Sequence, residues 1–141
     1  MRLVQTLGAL PEYYDRGAAN QTVNYMGSSL APHTSTQRAN YTVPSGRKAI
    51  VDSAFILITR ENLATGIGRA RLTVFYTPSG GSAIPIAVVQ LDNNCRNHTV
   101  HKTFTGLGIL YPGDTLSIYT MDDSTGGTCS YWATLKIFEF A

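Results

Sequence analysis

The sequence predicts an all-β fold, an antiparallel β-sandwich of the jelly-roll type with an extended N-terminal arm, on three observations. From residue 39 onward, β-branched and aromatic residues come in short runs. Clusters of Gly, Pro, Asn and Asp separate those runs at short intervals, and no stretch between them competes for a helix. Seven or eight strands at such spacing, in about 100 residues, close into two packed sheets more readily than they stay one open sheet.

Residues 1–38 differ in kind. Gly8, Pro11, Gly17, Gly27 and Pro32 stand among Gln, Asn, Ser and Thr with no sustained period of 2 or 3.6, so this stretch reads as an extended arm. It nevertheless carries Leu3, Val4, Leu7, Leu10, Tyr13, Tyr14, Val23, Tyr25, Met26 and Leu30. Disordered tails lack large hydrophobes of this kind, so a cover for them is expected, either the chain's own domain or a neighbouring subunit or protein. Residues 39–141 then form the domain, with strands expected at 40–43, 48–59, 70–77, 84–91, 99–104, 115–120 and 129–140. Val43-Pro44-Ser45-Gly46, Pro78-Ser79-Gly80-Gly81, Tyr111-Pro112-Gly113-Asp114 and Ser124-Thr125-Gly126-Gly127 mark the reversals, with Pro where φ is pre-set and Gly where φ must be positive.

Alternation gives each strand its faces. In the last strand Tyr131, Ala133, Leu135 and Ile137 share one side, and Trp132, Thr134, Lys136, Phe138 and Phe140 the other. In 48–59, Ile50, Ala54, Ile56 and Ile58 lie opposite Val51, Phe55 and Leu57. A sandwich strand is covered on one face by its own domain, so apolar residues on both faces imply a second cover. Ile56, Ile58, Trp132, Phe138 and Phe140 are therefore expected at an interface between copies, and Leu10, Tyr13, Tyr14, Tyr25 and Met26 as anchors by which the arm grips a partner.

Composition excludes several classes. The 141 residues carry a net charge of +2 and only 14% charged side chains, too little for an electrostatic grip on nucleic acid or an anionic membrane. The longest uninterrupted apolar run, 54–58, is five residues, far short of a spanning segment. Met1-Arg2-Leu3-Val4-Gln5-Thr6 lacks the apolar core of a secretory leader, so a soluble chain made in the cytoplasm is expected. Cys95 and Cys129 show no metal or redox spacing; buried thiols and a disulfide both remain open.

Catalytic chemistry finds little material. His98 and His101, three apart, fall on opposite faces of a strand, where chelation would need a spacing of two. Asp122-Asp123 adjoins a turn without the ligand order of a calcium loop, and Gly66-Ile67-Gly68 leads into a strand, not a phosphate-binding helix. Arg69 and Arg71, beside Arg60 and Glu61, form the clearest basic cluster. No enzyme activity, metal or cofactor is expected.

Three segments carry a family likeness: Tyr41-Thr42-Val43-Pro44-Ser45-Gly46-Arg47-Lys48-Ala49-Ile50-Val51, Leu110-Tyr111-Pro112-Gly113-Asp114-Thr115-Leu116, and the closing Phe138-Glu139-Phe140. Together they resemble small jelly-roll proteins of tailed bacteriophage particles, nearest in architecture the trimeric capsid decoration (cement or auxiliary head) proteins. The resemblance covers roughly residues 39–141, and the arm only by analogy. It implies a non-enzymatic homotrimer on the outer capsid surface of the virion, its arms clamping the major capsid protein, with no direct contact to nucleic acid or membrane. A different class is a tail-tip or head-fibre module binding host carbohydrate through Trp132 with Asn93, Asn94, Asp122 and Asp123.

Overall fold

The computed structural model describes residues 21–29, 35–60, 69–91, 99–106, 108–122 and 129–141. Nine strands follow one another along the chain: β1 (Gln21–Ser29), β2 (Thr36–Thr42), β3 (Lys48–Arg60), β4 (Ala70–Thr77), β5 (Ile84–Leu91), β6 (Thr99–Phe104), β7 (Ile109–Leu110), β8 (Thr115–Asp122) and β9 (Cys129–Phe140). Five of the expected strands start and end within a residue of their expected bounds. Two differences matter. β1 and the first three residues of β2 lie inside the stretch read as an arm, and β7 had no counterpart.

The pairings are nested: β1 with β9, β2 with β8, β3 with β6 and β7, β4 with β5, all antiparallel. This is one long ribbon doubled back at the β4–β5 turn and then rolled up. Rolling adds the contacts β3–β9 and β4–β8 and splits the ribbon into two sheets, ordered β1-β9-β3-β6 and β2-β8-β4-β5. The fold is thus an antiparallel sandwich with jelly-roll topology.

Between the sheets lies the core. Tyr131, Ala133, Leu135 and Ile137 of β9 face Ala54, Ile56 and Ile58 of β3 within one sheet, and Leu72, Val74, Leu116 and Ile118 come from the other. The alternation in β9 is as expected. That in β3 holds only beyond Asp52, because the register against β9 slips between Val51 and Ser53. The extra residue reverses the faces on its N-terminal side, so Ala49 and Val51 point inward and Ile50 shares the outer face with Phe138. Ile56 and Ile58, expected at an interface, are both 0% exposed inside the chain's own core, and their place on the outer face is taken by Phe55 and Leu57.

Two carboxylates pin one end of the sandwich. Gly46 and Gly113 each occupy the third position of a turn at positive φ (76° and 89°), closed by Arg47 N–H to Pro44 C=O and by Asp114 N–H to Tyr111 C=O. Asp114, 6% exposed, accepts at Oδ2 from Tyr111 N–H (2.9 Å) and the Tyr76 hydroxyl (3.1 Å), and at Oδ1 from Ser79 N–H (2.9 Å). It thereby ties three turns and strands together. Burial pushes its carboxyl up, but those three hydrogen bonds outweigh burial and hold it below the usual carboxylate value. Glu139 does similar work from β9, accepting from the Tyr41 hydroxyl at 2.6 Å and facing Arg47 Nε at 3.4 Å. Burial, reinforced by that hydrogen bond and charge, pushes the Tyr41 phenol well above its ordinary range.

Two outcomes follow. Leu135→Ala removes a completely buried side chain between the sheets and should cost about 2 to 5 kcal/mol in urea unfolding. Asp114→Asn should cost about 2 to 3 kcal/mol near neutral pH. Because the folded carboxyl is depressed, the stabilisation it gives is complete above the unfolded value of about 3.9 and is lost as pH falls through the lower folded value. Unfolding measured from pH 7 down to pH 2 should therefore show a smaller acid-dependent loss in the variant.

Candidate functional site

The outer face of the β1-β9-β3-β6 sheet carries several of the large apolar side chains that the fold leaves exposed among the described residues, with Ile84 and Val88 of β5 exposed on the other sheet. Register defines its rows. Met26 of β1, Trp132 of β9, Leu57 of β3 and His101 of β6 stand side by side across the sheet. The next row runs Asn24, Thr134, Phe55, Thr103, and the one after it Thr22, Lys136, Ser53. Past the Asp52 bulge, Phe138, Ile50 and Ile109 form another apolar row, followed by Phe140 beside Lys48.

Exposure sorts these side chains. Met26 is 74% exposed, Trp132 49% and Ile109 39%, while Leu57, Phe55, Phe138 and Phe140 are half-buried. The indole N–H of Trp132 is satisfied within its own strand by Thr134 Oγ1 at 3.0 Å, so what the ring offers outward is apolar. Phe138 and Phe140 stack at 5.9 Å, and Phe55 stacks on the exposed His101 ring at 6.1 Å. Tyr111 lies near Lys48, whose Nζ sits 5.8 Å from its ring centroid. Between the two apolar rows is an open depression of about 390 Å³, floored by Ser53 and Phe55 and walled by Thr134, Lys136, Thr103 and Thr105. Apolar rows flanking such a depression form a surface suited to a protein partner.

Of the residues expected at an interface, Trp132, Phe138 and Phe140 stand on this face and Ile56 and Ile58 do not. Of the expected arm anchors, Met26 belongs to the same row as Trp132. Tyr25 turns the other way, packs against the chain's own core, and lies under the Arg38 guanidinium at 5.6 Å. Leu10, Tyr13 and Tyr14 lie outside the described residues. Ile109 escaped the sequence reading, since a two-residue strand is too short to show a period, and Tyr111 was read only as part of a turn.

Other expected sites fare differently. Asp122 is 3% exposed at the end of β8, in the opposite sheet from Trp132, so it cannot share a sugar with that ring; Asn93, Asn94 and Asp123 lie outside the described residues. Arg71 lies on the outer face of β4 with its guanidinium 3.6 Å from the Met121 sulfur, Arg69 is exposed, and Glu61 and the Arg60 side chain are not described. Cys129 is completely buried, and Cys95, His33 and His98 lie outside the described residues.

No protein-family model matches the chain, and no curated protein matches it in sequence. Among solved structures, one of infectious bursal disease virus, Gx strain, is similar over 83% of this chain at 14% identity with a TM-score of 0.49. The Agl-KA catalytic domain is similar over 84% at 15% identity with a TM-score of 0.35. The chain spans about a third of the first of these and about a fifth of the second, at 31% and 22%. Likeness at this level assigns neither partner nor activity.

The two sides of the sheet should respond oppositely to charge. Trp132→Lys should leave the fold and its urea midpoint nearly unchanged, within about 1 kcal/mol, whereas Ile56→Lys should abolish folding by burying an unpaired ammonium. Circular dichroism and urea titration of both variants check this.

Proposed function

We propose that the protein is a non-enzymatic structural component of a phage particle, a trimeric decoration protein that binds major capsid subunits on the outer surface of the head. The observation that carries the reading is the outer face of the β1-β9-β3-β6 sheet, where Met26 and Trp132 lie side by side and exposed, with Phe55 and Leu57 behind them. Fully covering a large apolar side chain is worth about 1.5 to 3 kcal/mol, so copies or capsid subunits seated here would be held by several such increments. The turn motifs that resemble decoration proteins supply the virion setting. In this reading residues 1–20, which lead into β1 and include Leu10, Tyr13 and Tyr14, reach to the neighbouring subunit, and many linked copies hold the shell through multivalency.

Native mass measurement and head binding test the reading together. The purified protein should sediment as a trimer, and Met26→Lys with Trp132→Lys should shift it to single copies while its circular dichroism is retained. Removing residues 1–20, which stops short of β1, should preserve the fold and weaken binding to expanded heads by roughly tenfold or more, as expected when one of several linked contacts is lost. A monomer at tens of micromolar that fails to bind heads would overturn the proposal. A glycan-array signal lost in Trp132→Ala would favour the carbohydrate-binding class in its place.

A further inference from the structure

At the margins of the two sheets, β1, β2, β5, and β6 with β7, each leave a row of backbone N–H and C=O groups without a ladder partner among the described residues. Such a row is a template for another strand, and stable monomers blunt it with a lysine, a proline, a bulge or a short length. Three of the margins here are blunted. β5 carries Pro85 and an extra residue, Ile86, that breaks its register with β4. β2 carries Arg38, bulged out of its register with β8. β6 is six residues long with exposed His101 and Lys102, and β7 is two.

β1 has none of these devices. Gln21–Ser29 contains no charged residue and no proline, and it keeps unbroken register with β9 from Gln21↔Ile137 to Ser29↔Cys129. At nine residues it is also the longest of the margins. Its inward side chains, Val23 and Tyr25, are engaged with the core, whereas Met26 on the outer face stays 74% exposed at the border itself.

We infer that β1 is a pairing strand, and that its open edge receives β1 of a second copy, antiparallel about a two-fold axis, to make one continuous sheet through both molecules. A second copy fits because the edge is neutral and regular, and the one described margin equally neutral and regular is β1 itself. A two-fold antiparallel contact is self-complementary, each strand serving as the other's template. Across the axis the outer-face neighbours are drawn from Thr22, Asn24 and Met26, so no like charges meet and the partner strand covers the methionine. This contact uses a backbone edge, not the sheet face of the preceding proposal, and stands apart from it.

Amide hydrogen exchange on the full chain, at high and low concentration, tests the inference. The amides of 21–29 directed away from β9 should exchange roughly tenfold or more slowly in the concentrated sample, and the difference should vanish on dilution. Asn24→Lys, which sets ammonium groups near one another across the axis, should remove that protection and halve the mass of the paired species, while Asn24→Gln retains both. Outward amides that exchange freely at every concentration would overturn the inference. Equal protection at every concentration would overturn it too, since the edge would then be covered within one chain. Assemblies broken by Trp132→Lys but unmoved by Asn24→Lys would sink the edge contact and leave the sheet-face reading standing. If Asn24→Lys fails to fold, the concentration dependence of the unsubstituted protein decides alone.

Discussion

The antiparallel contact of β3 with β9 fixes nearly everything else in the molecule. The two strands lie at the middle of their sheet, in register from Lys48↔Phe140 to Arg60↔Cys129 apart from one slip. Their inner side chains from Val51 to Ile58 must be dry, because each sits opposite another apolar residue and beneath the second sheet. Strand geometry then leaves no freedom over the outer face, where every alternate residue is presented whether or not the molecule has a cover for it. Trp132, Leu57 and Phe55 are outside because Tyr131, Ile56 and Ile58 are inside.

Polar groups set the ends of this arrangement. Asp114 and Glu139 are carboxylates in positions that a hydrophobic core would reject, and each is tolerated because it is fully engaged by donors from elements distant in sequence. Their strand partners, Tyr76 and Tyr41, belong to the β2-β8-β4-β5 sheet and the others to turns at one end of the sandwich; because Glu139 stands on β9, its bond with Tyr41 ties one sheet to the other. At Gly46 of the same turns the positive φ alone favours glycine, whereas at Gly113 a Cβ would in addition stand 2.6 Å from Ser79 Oγ.

Much of this was legible in the order of the residues. β4, β5, β6 and β9 fall where their β-branched and aromatic runs begin and end, because a strand half-buried in a sandwich demands that alternation and turn residues punctuate it. β1 was not legible: Gln21–Ser29 places only Val23 and Tyr25 toward the core, with Gly27 closing the inner row, too short a pattern to stand out among polar neighbours. The slip at Asp52 was invisible for another reason. A bulge has no composition of its own, and period-2 reasoning carried through it inverts the faces of Ile50 and Val51. The same reasoning located Trp132, Phe138 and Phe140 on the outer face correctly but set Ile56 and Ile58 beside them, since alternation within a strand does not reveal which side the second sheet takes.

Nesting the strand pairs has a temporal cost. The innermost pair, β4 with β5, closes across a few residues, whereas β1 meets a strand that begins more than a hundred positions later. Loop-closure entropy favours the near pair, so the roll tightens from its hairpin outward, and topology of this kind folds slowly. A nascent chain emerging from the ribosome therefore holds β1 unmated until β9 has been synthesised. Through that interval β1 is open to the β9 of a sister chain made on the same message, and exchange of β9 between siblings is a misstep to which this topology exposes the protein.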